Sequence, residues 1–267
     1  MIRSFFGLTE NPFSSPDPAL LQQQQDIFDT LKVHCHQGGL CLLMGLPGTG
    51  KTVIKDVLQQ TTGKLTLVIT VARTLHTYTN TVKLLCQAFN IEFKGDSFKC
   101  EKRLIEEAYA LKRTGRSLLI IIDDAHLMDM MTLRKLRLLF EDFPKNHNII
   151  LIGQPDLLNN ISLSVNADIK SRVTYSVITK RLNPDDMRQF ILAQLDNVAL
   201  GHNTFTDDAL DLIIRSADGV LRRAKNLCLS CFIEAVRARK KIIDLEIVNR
   251  VLIQPHWREE QELTDIF

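Results

Sequence analysis

The residues Gly45-Leu46-Pro47-Gly48-Thr49-Gly50-Lys51-Thr52, directly after the apolar run Leu40–Met44, have the types and spacing of a phosphate-binding loop. Glycines let the backbone wrap an anion and turn successive N–H groups toward it, while the helix that follows points its positive end the same way. Lys51 is placed to neutralise β- and γ-phosphates, and the Thr52 hydroxyl to hold Mg²⁺. A helical pattern (Val53, Ile54, Val57, Leu58) follows the loop, as this chemistry requires.

A second candidate set ends the aliphatic run Leu118-Leu119-Ile120-Ile121-Ile122 with Asp123-Asp124-Ala125-His126. Such a run reads as a strand buried on both faces, and its carboxyl end is where ligands bind in an open parallel sheet. Alone, an Asp-Asp pair after a strand is as well read as a helix cap. With the loop at 45–52 it reads as a Walker B element. Asp123 would hold the Mg²⁺ shell, and Asp124 would polarise the attacking water in phosphoryl transfer.

These residues need elements to position them. From residue 40 onward, apolar runs at 40–44, 65–71, 118–122, 148–153 and 173–178 alternate with helical stretches near 51–61, 77–90, 99–114, 130–142 and 155–162, which implies a parallel α/β sheet. After about residue 182 the strand runs stop. Asn183-Pro184-Asp185-Asp186 reads as a cap, a first-turn proline and two acids at the positive end of a helix running to about Val198. Thr206-Asp207-Asp208 starts another helix ended by Gly219, and further helices are expected at 220–238 and 244–253. Residues 1–20, with Pro12, Pro16 and Pro18, read as an arm leading to a helix at 22–37. The expected organisation is an arm at 1–20, an α/β nucleotide-binding domain at 21–182, and an all-α unit with a tail at 183–267.

The length of 267 residues allows one large or two modest domains, and 45% hydrophobic with 24% charged residues is ordinary for a globular chain. A formal net charge of +2 is too small by itself to argue for nucleic acid, leaving only local basic clusters to do so. Cys35, Cys41, Cys86, Cys100, Cys228 and Cys231 follow no disulfide framework, and Met1-Ile2-Arg3-Ser4 opens no signal peptide, so a reducing cytoplasm is the expected location. No apolar run approaches the ~18 residues that span a bilayer, so no direct membrane insertion is expected. Cys228-Leu229-Ser230-Cys231 lacks a second ligand pair and reads as core packing. His34-Cys35-His36 lacks a fourth ligand and reads as a solvated helix end.

Together these features resemble the AAA+ ATPases, which implies ATP and Mg²⁺ as ligands, a sheet in the order 5-1-4-3-2, and a small helical lid. More narrowly, Phe6-Gly7-Leu8-Thr9-Glu10-Asn11-Pro12-Phe13 with Pro16-Asp17-Pro18, the Asp-Asp-Ala-His run, Ile152-Gly153-Gln154-Pro155 and Gly219-Val220-Leu221-Arg222 resemble the secretion-pathway protein A (ExeA-type) group. That group is similar to the transposition ATPases of the TnsC, TniB, MuB and IstB kind. The resemblance implies that Gln154 is sensor 1, contacting the γ-phosphate or orienting water, with capping of the next turn as the alternative. It implies that Arg172 is an arginine finger supplied to a neighbouring copy, with Lys170 or a plain surface salt bridge as alternatives. Arg222, or the adjacent Arg223, would be the sensor 2 cation. Two departures stand out: the group usually has Glu where Asp124 stands, and proline where Leu221 stands.

The resemblance leads to a primary expectation, a transposition helper that forms a ring or filament on duplex DNA in the ATP state and recruits a transposase. Lys99, Lys102, Arg103, Lys112, Arg113 and Arg116 before the Walker B strand, and Arg134, Lys135 and Arg137 on the helix after it, are the candidate backbone contacts. The alternatives are a secretion or pilus-assembly ATPase and a nucleotide-gated interaction module with little turnover.

Overall fold

The computed structural model describes residues 1–13, 20–63, 65–71, 77–93, 97–145 and 147–257. The Pro16-Asp17-Pro18 part of the amino-terminal motif and the tail from residue 258 lie outside these. The chain divides into two compact units, one of residues 22–46 and 51–179, the other of residues 1–21, 47–50 and 180–267. In chain order the elements begin with α1 (Ile2–Phe6), α2 (Gln22–Gln37), β1 (Gly39–Gly45), α3 (Lys51–Thr61), β2 (Thr66–Val71), α4 (Tyr78–Ala88), α5 (Ser97–Arg113) and β3 (Ser117–Ile122). They continue with α6 (Met130–Glu141), β4 (His147–Gly153), α7 (Pro155–Ser162), α8 (Ala167–Lys170), β5 (Val173–Thr179), α9 (Pro184–Asp196), α10 (Asp207–Ala217), α11 (Leu221–Ala238) and α12 (Leu245–Leu252).

The first unit is built on a five-stranded, all-parallel sheet in the order β2-β3-β4-β1-β5, the expected order read from its other edge. Strands buried on both faces have no polar side to show, which is why Leu118–Ile122 is an unbroken aliphatic run with every member buried. β1 lies between β4 and β5, and β4 separates β1 from β3. The register aligns Met44 with Gly153 and Ile122 with Leu151. Parallel strands end at the same edge of the sheet. Gly45, Gln154 and Asp123, at the ends of β1, β4 and β3, therefore follow one another along the carboxyl edge.

Helices start where side chains satisfy their first amides. Thr77 accepts from the N–H of Asn80 ahead of α4, and Asp129 accepts from Thr132 at 2.5 Å ahead of α6, whose Leu133, Leu136 and Phe140 are buried in the sheet's core. α8 has only four residues, too few for a periodic signal, and was not expected from the sequence.

The second unit is helical. Asn183 caps α9 by accepting from Asp186 at 2.7 Å, Thr206 caps α10, and Asp244 caps α12. The amino-terminal residues contribute to this unit's core. α1 carries Phe6 against Phe232, with ring centroids 5.1 Å apart and nearly perpendicular, and Phe13 is 3% exposed in the same cluster. Burying a side chain of that size stabilises by about 2 kcal/mol. Ile2 and Phe6 thus pack against the helical core and Phe13 belongs to it, which the lack of pattern in residues 1–13 did not announce.

Gly219, which ends the αL turn after α10, has φ +71°, and a Cβ there would lie 2.6 Å from the Leu182 carbonyl oxygen. Leu182 N–H donates to Gly219 O at 2.9 Å, so neither strand of the contact can retreat without losing that bond. Gly219→Ala should cost roughly 2–3 kcal/mol of stability in urea unfolding. Gly7→Ala, at φ +74° with nothing within 4 Å, should cost only the left-handed backbone, about 1 kcal/mol. Equal losses would mean that the close approach contributes nothing.

Candidate active site

The loop follows a strand end, Leu42 to Met44, that is wholly buried. Gly48 and Gly50 have φ +82° and +96°, conformations that turn loop amides inward and that side-chained residues adopt at a cost. Lys51 begins α3, and its Nζ donates to Gly45 O at 2.7 Å and Leu46 O at 2.8 Å, placing the ammonium across the loop. Thr52 is exposed in the first turn. The open first-turn amides of α3 and the glycine geometry fit a phosphate group.

Within the helical unit, Arg222 N–H donates to Gly48 O at 3.2 Å. A Cβ on Gly48 would lie 2.7 Å from Arg222 Cβ and 2.9 Å from Val220 Cγ1. Gly48 is therefore required twice, for its φ and for this approach. Arg222 and Arg223 are both exposed; the Arg222 amide is bonded to Gly48, whereas Arg223 lies against Trp257, 6.0 Å from the ring centre.

At the end of β3, Asp123 N–H donates to Val71 O at 3.0 Å, which prolongs the ladder and fixes the backbone. Its Oδ1 accepts from Asp124 N–H at 3.0 Å and its Oδ2 from Lys55 Nζ at 2.8 Å. Asp124 sits at φ 52°, a left-handed conformation that Asp tolerates better than most, and turns the chain into the short 3-10 turn Ala125–Leu127. Its carboxylate is exposed while that of Asp123 is held. The two acids thus have separate surroundings. Thr52 and Asp123 offer oxygen only, a donor chemistry that suits Mg²⁺.

Gln154 occupies the N-cap position of α7 but makes no side-chain capping bond. Instead its amide Nε2 lies 2.8 Å from His126 Nε2, the amide donating to the imidazole. Side-chain capping is therefore not what Gln154 does. Gly153 permits the contact, since a Cβ there would be 3.3 Å from His126 N. Reading the sequence gave His126 no role. Its place three residues beyond Asp123 was the available signal, but the partner lies just past the end of another strand, β4.

Arg172 lies at the opposite edge of the sheet, just ahead of the Val173–Leu40 pairing. Seven residues of β5 at about 3.3 Å each put roughly 20 Å between that edge and the one bearing Gly45 and Lys51. Arg172 cannot meet the Lys51 of its own chain. Its Nη2 is 2.9 Å from Glu141, which also accepts from Arg137 at 2.7 Å, so Arg172 does form a surface salt bridge. Lys170 is exposed, with no ion pair among the described residues.

The basic cluster on α6, a candidate for DNA-backbone contact, makes contacts within the protein. Arg134 donates to Val165 O at 2.7 Å and Asn166 Oδ1 at 2.6 Å and pairs with Asp168 at 3.4 Å, while Arg137 pairs with Glu141. Lys135 Nζ lies 5.8 Å from the centre of the Tyr78 ring. Arg134 thus ties α6 to the segment around α8, while Arg137 pairs along α6 itself and reaches Asp168 at 3.8 Å, and Lys135 stays exposed. On α5, Lys99, Lys102, Arg103, Lys112 and Arg113 are exposed, with no ion pair among the described residues, and Arg116 is half-buried.

His34 is also not solvated. It is 7% exposed, bonded to Thr174 Oγ1 at 2.5 Å, and burial lowers its pKa. Cys228 and Cys231 are fully buried, and burial pushes the Cys231 thiol up to about 12, so core packing is their role. The described residues contain no group of three or more His, Cys, Asp or Glu able to hold a metal by themselves.

Residues 33–161 match the family model of an AAA domain. The chain is 27% identical over 259 residues to general secretion pathway protein A of Aeromonas hydrophila, covering 92% of this chain and 47% of that protein. It thus spans about half the length of that curated relative. Among solved structures it is similar to Cdc6p from Pyrobaculum aerophilum, at a TM-score of 0.68 and 18% identity over 90% of this chain and 68% of that one. Aeropyrum pernix ORC1 in complex with DNA gives 0.68 at 18% identity, covering 89% and 66% of the two chains. Drosophila ORC bound to DNA gives 0.69 at 16%, covering 99% and 67%. At such identities the structural similarity speaks for fold alone. The fold is the P-loop AAA+ fold, and the matches together support an AAA+ ATPase.

Proposed function

We propose that this AAA+ chain binds ATP with Mg²⁺ at Gly45–Thr52, hydrolyses it, and completes its active sites between copies in a ring or filament. The observation that carries this reading is the row of Gly45, Gln154 and Asp123 along one edge of a parallel sheet. Lys51 holds the β- and γ-phosphates, while Thr52 and Asp123 hold the metal. Bound Mg²⁺ supplies charge neutralisation at the phosphate oxygens. Asp124, exposed beside Asp123, takes a proton from the attacking water, and Gln154, held by His126, orients that water or senses the γ-phosphate. Arg222 contributes the sensor 2 cation. Arg172 of one copy serves the phosphates of the next.

For the work that this ATPase drives, we favour assembly on duplex DNA as a transposition helper that recruits a transposase. The exposed Lys99, Lys102, Arg103, Lys112 and Arg113 of α5, without an ion pair among the described residues, support this reading, as do the similar folds of Aeropyrum pernix ORC1 in complex with DNA and Drosophila ORC bound to DNA. A second reading, an assembly ATPase of secretion or pilus machinery, is favoured by the similarity to general secretion pathway protein A. No helix among the described residues is long and apolar enough to cross a membrane.

A duplex-binding titration across salt concentrations, with ATP, ADP or a slowly hydrolysed analogue, separates the two readings. Binding should require the ATP state and fall with salt at a slope of roughly 0.9 per phosphate neutralised. Changing Lys102, Arg103 and Lys112 together to Ala should weaken binding and flatten that slope, leaving ATP affinity intact. The same change at Arg134, Lys135 and Arg137 should instead lower thermal stability. Absence of duplex binding at low salt in every nucleotide state favours the secretion reading.

A further inference from the structure

Asp123 does not stand alone at the end of β3. Lys55 lies one helical turn beyond Lys51 on α3, and its Nζ is 2.8 Å from Asp123 Oδ2, the two side chains being only 12% and 18% exposed. A weaker claim on the same ammonium comes from Asp56 at 3.7 Å, which is 46% exposed and correspondingly screened. The other oxygen of Asp123 accepts the Asp124 amide at 3.0 Å. Each carboxylate oxygen has two acceptor directions, so a metal ion or its water can still be accommodated. What Lys55 removes is negative charge and rotational freedom. Neither the phosphate-binding loop nor the Asp-Asp pair specifies a lysine at this position.

A divalent ion approaching a bare carboxylate meets a full opposite charge, whereas one approaching an ion pair meets little more than a dipole. We propose that Lys55 is a positioning residue that shares Asp123 with the metal, holding the carboxylate in place and offsetting its charge, so that nucleotide binding depends little on Mg²⁺. The inference rests on the ATP reading above and goes beyond it. Lys51 acts on the phosphates; Lys55 acts on the residue that meets the metal. Lys55 thereby makes this site retain nucleotide where Mg²⁺ is scarce, and makes metal entry the weak step.

The test is titration of a fluorescent ATP analogue with excess EDTA and again with saturating Mg²⁺. In the unaltered protein the two affinities should be close. In Lys55→Met the gain from Mg²⁺ should grow on the order of tenfold, because the full charge of Asp123 is restored to the metal. Lys55→Arg, which keeps the cation, should retain the original ratio, and Asp123→Asn combined with Lys55→Met should abolish the gain. Lys55→Gln provides a second uncharged variant should the methionine impair folding, which circular dichroism reports. The same Mg²⁺ dependence in unaltered protein, Lys55→Met and Lys55→Gln overturns the inference while leaving the ATP reading standing. Failure of the unaltered protein to bind the analogue under either condition overturns both.

Discussion

Lys51→Ala should bind ATP roughly a hundredfold more weakly than the unaltered chain, whereas Asp124→Asn should bind it normally and lose about a hundredfold or more of its turnover. The two outcomes differ because the two side chains face different species. The Lys51 ammonium is already placed across the loop by Gly45 O and Leu46 O, where phosphate oxygens would meet it, so its removal leaves their charge unopposed. Asp124 is exposed and its carboxylate makes no capping bond and no ion pair among the described residues, so exchanging it for an amide removes a base while the backbone bond to Asp123 stays. Because Lys51 also braces the loop, the melting temperature of each nucleotide-free variant must be measured alongside a fluorescent-nucleotide titration and phosphate release. Equal ATP affinity in Lys51→Ala and the unaltered protein, with both folded, would place the nucleotide elsewhere. The shorter Asp124 in place of Glu bears on rate rather than binding. A chain that binds ATP yet releases almost no phosphate, with Asp124→Glu faster, would point to a switch that turns over slowly.

The parts of the molecule that were legible in the sequence are those written in consecutive residues. Leu118–Ile122 had to be a strand buried on both faces, Asn183-Pro184 had to open a helix, and the loop needed each of its specified residues. Strand order was not written there: five similar aliphatic runs can be arranged in several ways, and 5-1-4-3-2 came from resemblance. What escaped was of another kind. Lys55 and Asp123, His126 and Gln154, and Glu141 and Arg172 each pair across elements that meet only after folding. A lysine or arginine on an amphipathic helix reads as solvated, and nothing in the local pattern distinguishes Arg134, bound to three groups near α8, from the exposed Lys102. α1 was missed because five residues carry too little periodicity, although its Phe6 packs against Phe232, and Phe13 beyond it joins the same helical core. His34 was misread because the strand that buries it, with Thr174, follows much later in the chain.

The geometry of Arg172 leads to the second large effect. Arg172→Ala should bind ATP with unchanged affinity and lose roughly a thousandfold of its turnover under conditions that favour assembly. The sheet itself supplies the reason for expecting action between chains: Arg172 is at the amino edge, some 20 Å from the carboxyl edge by the length of β5, so it cannot reach the site of its own subunit. Mixing Arg172→Ala with Lys51→Ala should then restore part of the activity, since one of the mixed interfaces combines an intact loop with an intact arginine. The salt bridge to Glu141 sharpens the experiment, because Glu141 is shared with Arg137 and holds Arg172 against α6. If that contact restrains the arginine, Glu141→Gln should raise turnover; if it aims the arginine, turnover should fall, and in both cases ATP affinity stays the same. Lys170→Ala is the necessary companion, since Lys170 is exposed and without an ion pair among the described residues. Loss of turnover there, with Arg172→Ala fully active, would transfer the finger to Lys170 and leave Arg172 as a structural tie between β5 and α6.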